Sequence, residues 1–163
     1  MTHGTALSET CPFCLIVAGD APAREVLRTS TVVAFFPDHP AVLGHTLIVP
    51  RQHVSTIWDI DEAIGYSLAD ATRRVARAVH EVTATPGMNI IQSNGHAASQ
   101  TVEHLHIHVV PRSGGDRMPR LWPPDMNWPS ASLDALQSVL SRNLPDDSNL
   151  KVDDAPQPFG HEG

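Results

Sequence analysis

Three histidines set two apart carry the sharpest chemical signal in this sequence: His104-Leu105-His106-Ile107-His108-Val109-Val110. In an extended strand alternate side chains share a face, so His104, His106 and His108 line one side while Leu105, Ile107 and Val109 pack on the other. At a rise of ~3.3 Å per residue, same-face neighbours stand roughly 6.5–7 Å apart. Imidazoles so placed suit two kinds of chemistry. Pairs of them can ligate a metal, because neutral imidazole is a common ligand. Alternatively, one ring attacks an electrophilic centre such as phosphorus while its neighbours donate hydrogen bonds, which demands a neutral ring in a held tautomer. Incidental histidines in a half-buried strand are the third reading, and strict alternation of three argues against it. The metal-hydrolase form HxHxD would place an acid where His108 stands, and none follows in Val109-Val110.

The only cysteines, Cys11 and Cys14, form a second centre in Cys11-Pro12-Phe13-Cys14. A lone CxxC cannot build a disulfide framework. It reads as metal-binding or redox chemistry in a reducing compartment, and hence a cytoplasmic location. As half of a tetrahedral site it needs two further ligands.

The elements that must position these groups follow from periodicity. Leu15–Ala18 predicts a helical turn closed by Gly19. Glu25–Arg28 and Val32–Phe36 predict strands, Pro37-Asp38-His39-Pro40 breaks the chain, and His45–Val49 predicts a third strand ended by Pro50. Asp59 with Glu62 three residues on is a capping box, opening a helix over residues 60–83. Its apolar stripe is Ile64, Leu68, Ala71, Val75, Ala78 and Val82, and Pro86-Gly87 stops it. Met88–Gln92 predicts a buried strand, Ser93–Ser99 a small-residue loop, and Val102–Val110 the strand that carries the three histidines. Residues 111–129 are irregular, and Ser130–Asn143 is a short amphipathic helix through Leu133, Leu136, Val139 and Leu140. The pattern predicts an α+β domain over residues 11–143, with an antiparallel sheet of about five strands, one long helix and a short C-terminal helix. Residues 1–10 form a flexible end. Residues 144–163 form an acidic, Pro-containing tail too poor in apolar residues to fold.

The 163 residues suffice for one domain with its own core, and the formal charge of −7 argues against a nucleic-acid binder, which needs a basic face. The part from Leu133 onward carries −4 of that charge. No apolar run approaches the ~18 residues of a membrane span, and the first ten residues hold no Lys or Arg, so neither a span nor a signal peptide is expected. Arg112, Arg117 and Arg120 give the loop after the histidines a local positive balance. That balance suits either a solvated surface or a polyphosphate.

The histidine pattern resembles the signature of the histidine triad (HIT) family of nucleotide hydrolases and transferases, His-φ-His-φ-His-φ-φ with φ apolar. The resemblance extends to Gly44-His45-Thr46-Leu47-Ile48-Val49-Pro50-Arg51-Gln52-His53, to the stretch from Gly95 through Arg112, and to Cys11–Asp20, which is similar to the amino terminus of zinc-containing bacterial members. It implies that His106 is the nucleophile, attacking the α-phosphorus of a nucleotide to form a nucleotidyl-histidine. His108 would bond the phosphate or the departing group, and His45 would orient the triad. Gln100 and Thr101 would contact phosphate, Asn94 would stand in for a family amide, and Asp38 would reach the ribose from one position later than in other members. Trp122, in the segment after the triad, would stack on a base or leaving group or else cover the edge of the core. Cys11, Cys14, His53 and His104 would hold a structural zinc, with no catalytic cofactor. The implied substrate is a purine nucleotide, such as a dinucleoside polyphosphate or a phosphoramidate, and the implied assembly is a homodimer. A nucleotide-binding scaffold without turnover and a zinc-dependent hydrolase are the competing readings.

Overall fold

The structure, a computed structural model, describes residues 11–119 and 127–144. Helix α1 spans Pro12–Ala18, strands β1, β2 and β3 span Arg24–Arg28, Val32–Phe36 and Thr46–Pro50, and helix α2 spans Glu62–Thr83. Strands β4 and β5 follow at Gly87–Gln92 and Ile107–Arg112, and helix α3 at Ser130–Asn143. The five strands form one sheet in the order β1-β2-β3-β5-β4, with every neighbouring pair antiparallel. Residues up to Met118 belong to one unit, and those from Pro119, including α3, to a second. Among the described residues no helix is long and apolar enough to cross a membrane. Residues 1–10, Arg120, Trp122 and the acidic tail from Pro145 lie outside the described residues.

Alternation along the central strands sorts the core into two layers. Val32, Ala34, Ile48 and Val109 face α2, where Ile64, Leu68, Ala71 and Val75 cover them. Val33, Phe35, Leu47 and Val49 face the other way and pack under α1 with Cys11, Phe13, Cys14 and Val17. The α2 stripe is shorter than its periodicity predicts: Val82 is 86% exposed, and Val79 rather than Ala78 completes the contact.

Two local expectations are corrected. The N-cap of α2 is Asp61, whose carboxylate accepts from the Ile64 N–H at 2.8 Å. Asp59 instead ends a 3-10 turn, Ile57–Asp59, and takes the Thr56 hydroxyl. The helix ends at Thr83 as the spacing predicts, and the Ala84 N–H closes on His80 O. The second correction bears on function: β5 begins at Ile107, so only His108 of the three histidines lies on a sheet strand. Extending the β3–β5 register by two residues would set Pro50 opposite Leu105, and proline has no N–H to give a ladder. Leu105 donates instead to Val54 O at 2.7 Å. His104 and His106 thus sit on a bent approach to the strand.

Gly44 prepares the other histidine strand. It holds φ +90, and a Cβ there would press to 3.2 Å on both Pro111 and Thr83. Only glycine fits that left-handed turn at such close quarters, and His45 follows directly.

The two candidate caps differ measurably. Asp61→Ala is expected to destabilise by about 1 kcal/mol in urea denaturation, while Asp59→Ala changes stability by less than about 0.5 kcal/mol. Equal losses would return the cap to Asp59.

Candidate active site and metal centre

The ligand atoms of Cys11, Cys14, His53 and His104 all lie within 4.8 Å of one another. The amino-terminal pair meets a histidine ninety-three residues from Cys11 along the chain. His104 Nδ1 stands 3.5 Å from Cys11 Sγ and 3.6 Å from Cys14 Sγ, and His53 Nδ1 is 3.2 Å from Cys14 Sγ. A zinc tetrahedron with bonds of about 2.3 Å to sulfur and 2.0–2.1 Å to nitrogen has a sulfur-to-nitrogen edge of about 3.5 Å. The four residues fit that group in donor type and spacing. His104 is fully buried, and its Nε2–H donates to Pro50 O at 2.9 Å, which leaves Nδ1 with the lone pair a metal takes. Burial pushes the His104 pKa down to about 4, so the ring is neutral, as ligation requires.

A second set of contacts orders the protons of His45, His106 and His108. The Ala41 N–H donates to His45 Nδ1 at 3.1 Å. In a neutral ring the other nitrogen then carries the proton. His45 Nε2–H therefore donates to His108 Nδ1, 2.9 Å away, and His108 in turn keeps its hydrogen on Nε2. His106 is ordered the opposite way: Nδ1–H donates to the backbone oxygen of His104 at 2.7 Å, leaving Nε2 with a lone pair. Burial lowers the pKa of His45 and His106, and burial followed by the neighbouring His106 and His45 rings lowers His108 to about 4. The His106 and His108 ring centroids are 4.9 Å apart. Side by side stand a ring nitrogen with a lone pair and an N–H donor, both on neutral rings at physiological pH.

The remaining expected residues separate. Gln100 is buried, but its amide braces the glycine loop: Oε1 accepts from the Gly95 N–H at 2.6 Å, and Nε2 donates to Ser55 O and Val102 O at 2.8 and 3.0 Å. Both of its hydrogens are spent on protein. Asn94 is similarly engaged, accepting from the Ile57 N–H at 2.8 Å and pairing with the Gln92 amide. Thr101 and Asp38 are exposed, and Trp122 lies outside the described residues. Arg112 spends its charge at home. Its guanidinium holds Asp116 through Nε at 2.7 Å and a second nitrogen at 2.8 Å, and also bonds Asn89. That pairing, with the Ser113 N–H, holds the Asp116 carboxyl far below the usual carboxylate range. Sequence reasoning missed Phe13, whose ring stands 5.3 Å from that of His106 and 5.9 Å from that of His104. Its place inside the CxxC was the available signal.

A family model described as the HIT domain matches residues 18–115. The chain belongs to the HIT family. Protein hit of Bacillus subtilis is 34% identical over 116 residues, 71% of this chain and 80% of the relative. Adenosine 5′-monophosphoramidase hnt1 of Schizosaccharomyces pombe is 29% identical over 63% of this chain and 74% of its own. The adenylylsulfatase HINT3 of Arabidopsis thaliana is 27% identical over 70% of this chain and 58% of its own. Among solved structures, a HIT family member from Bacillus subtilis superposes with a TM-score of 0.79 at 29% identity, covering 85% of this chain and 99% of that one. A zinc-bound histidine triad protein from Mycobacterium smegmatis is 35% identical with a TM-score of 0.64, covering 82% and 95%. The Cys/His cluster of this HIT protein fits the zinc-bound branch.

The depressed His108 pKa carries a stability consequence. An unfolded chain takes a proton near pH 6.5 that the folded ring refuses until about 4. Stability is therefore complete above 6.5 and declines as pH falls through that window, by roughly 1–3 kcal/mol from this group. The groups facing His108 are His45 and His106. Thermal melts from pH 7 to 4.5 should show the decline, and His108→Asn should make it shallower. A variant with the wild-type slope would remove His108 as its source.

Proposed function

We propose that this HIT protein transfers an adenylyl group through His106, hydrolysing an adenosine phosphoramidate or a related nucleotidyl phosphoanhydride. The observation that carries the reading is the opposed order of two adjacent neutral rings, His106 with its lone pair on Nε2 and His108 with its hydrogen there. In the first step His106 Nε2 attacks the α-phosphorus, a phosphorus–nitrogen bond forms, and the bond to the leaving amine or phosphate breaks. His108 Nε2–H gives its proton to the departing atom as charge develops on it. Water then attacks the phosphorus of the nucleotidyl-histidine, its proton passes to the vacated His108 Nε2, and His106 Nε2 leaves with its electron pair. His45, bonded back to Ala41, keeps His108 in the tautomer that can donate.

The named activities of two relatives, adenylylsulfatase and adenosine 5′-monophosphoramidase, share adenylyl transfer and differ in the leaving group. The pairing of Arg112 with Asp116 favours a compact leaving group over a long polyphosphate, because this cation is not free to neutralise one. Of the two substrate types the resemblance implies, this reading therefore takes phosphoramidates ahead of dinucleoside polyphosphates.

Cys11, Cys14, His53 and His104 are the zinc ligands in this reading. Four protein ligands close the tetrahedron and leave no position for an activated water, which disfavours a zinc-dependent hydrolase. Bound there, zinc supplies a staple between the amino terminus and the approach to β5, and His104 is committed to it rather than to substrate.

Two experiments test this. Brief mixing with adenosine 5′-monophosphoramidate or diadenosine tetraphosphate, an alkaline quench and intact-protein mass spectrometry should reveal one added adenylyl group on the wild type and none on His106→Ala. An adduct that survives in His106→Ala would move the nucleophile elsewhere, and binding without product from either substrate would favour the scaffold reading. Elemental analysis of protein purified without added metal should give about one zinc per chain, lost together with thermal stability in Cys14→Ser. Full metal content in that variant would break the assigned ligand set.

A further inference from the structure

We propose that Phe13 is a positioning residue for His106, holding the imidazole plane in line for attack. The inference rests on the reading of His106 as the nucleophile and asks what keeps that ring from turning. The ring pivots about its Cβ–Cγ bond, and its hydrogen bond from Nδ1 to the His104 backbone oxygen, 2.7 Å long, resists that rotation at one atom. Two rings stand against the pivot. One is His108 at 4.9 Å between centroids, and the other is Phe13 at 5.3 Å with the planes inclined by 75°.

Phe13 is itself held on all sides. It meets Phe35 edge-to-face at 5.5 Å and 66°, and His104 at 5.9 Å and 70°. In the chain it lies between Cys11 and Cys14, whose sulfurs converge on His104 Nδ1, and it is buried with them in one apolar layer. The same four-ligand cluster that fastens the amino terminus therefore sets an aromatic ring edge-to-face with the reacting ring. Attack on phosphorus needs the nitrogen lone pair aligned, and small misplacements of a reacting group cost large factors in rate. A ring at this position restricts rotation in a way that an aliphatic side chain of similar volume does not.

The test uses Phe13→Leu and Phe13→Met, which keep apolar bulk without a flat face, Phe13→Tyr, which keeps the ring, and Phe35→Leu. Phe35 touches Phe13, and no ring contact joins it to His106. Metal content is measured in each variant, so that loss of the cluster is not mistaken for loss of the ring contact. Expected are a kcat roughly tenfold lower in Phe13→Leu and Phe13→Met with KM within about twofold, recovery in Phe13→Tyr, and a smaller kcat loss in Phe35→Leu at comparable loss of thermal stability. Long-range nitrogen-15 spectra of the histidine rings, taken without substrate, should give one ordered His106 tautomer in the wild type and Phe13→Tyr. Whichever of the Leu and Met variants folds should give a broadened or mixed signal. An unchanged His106 signal in that variant, or a kcat loss matched by Phe35→Leu, overturns the proposal. Should the wild type turn over no nucleotide at all, the functional reading fails by itself, and the ring spectra still decide the role of Phe13.

Discussion

A neutral imidazole has one hydrogen and one lone pair, and whatever binds one nitrogen dictates the chemistry of the other. The structure depends on that constraint. Pro50 O takes the hydrogen of His104 and turns its Nδ1 toward the cysteines. The His104 backbone oxygen takes the hydrogen of His106 and bares its Nε2. The Ala41 N–H occupies the lone pair of His45 and, through it, that of His108. Three backbone groups set four rings. Burial contributes by disfavouring the second proton that would erase the distinction between the two nitrogens.

The sheet serves this constraint by ending in the right places. Pro50 closes β3, and its carbonyl is left for a side chain because the ladder goes no further. The bend that follows keeps His104 and His106 off the strand, so His104 can address the cluster while His106 and His108 face each other. A regular strand would have spread the three rings evenly and given none of them its own backbone partner.

Local order was readable in the sequence where it follows from periodicity. Four of the five strands, the long helix and the glycine-closed turn at Gly19 could be placed because alternation and 3.6-residue spacing are properties of neighbouring residues. The three-histidine strand was misplaced because alternation was equally strong there, and only the register against β3 exposes the missing N–H of Pro50. The cap moved from Asp59 to Asp61 for a similar reason: both are competent acids, and the 3-10 turn that consumes Asp59 is not visible in composition. The clustering of Cys11, Cys14, His53 and His104 was legible only through the family resemblance. Gln100, Asn94 and Arg112 look like free donors in a sequence, and it takes their acceptors at Ser55, Gln92 and Asp116 to see that they are engaged within the protein.

The ninety-three residues between Cys11 and His104 have a consequence for the life of the chain before it is finished. A loop of that length closes late, since contacts distant in sequence wait on the entropy of bringing their ends together. During synthesis His106 emerges after nearly two thirds of the chain, and its backbone acceptor is the same residue that must find the amino-terminal cysteines. The His104 contacts that order His106 are thus completed only when the two ends of the domain have met. A partly made chain carries the triad's residues without their arrangement, so the ordering of the rings and completion of the fold arrive as a single event.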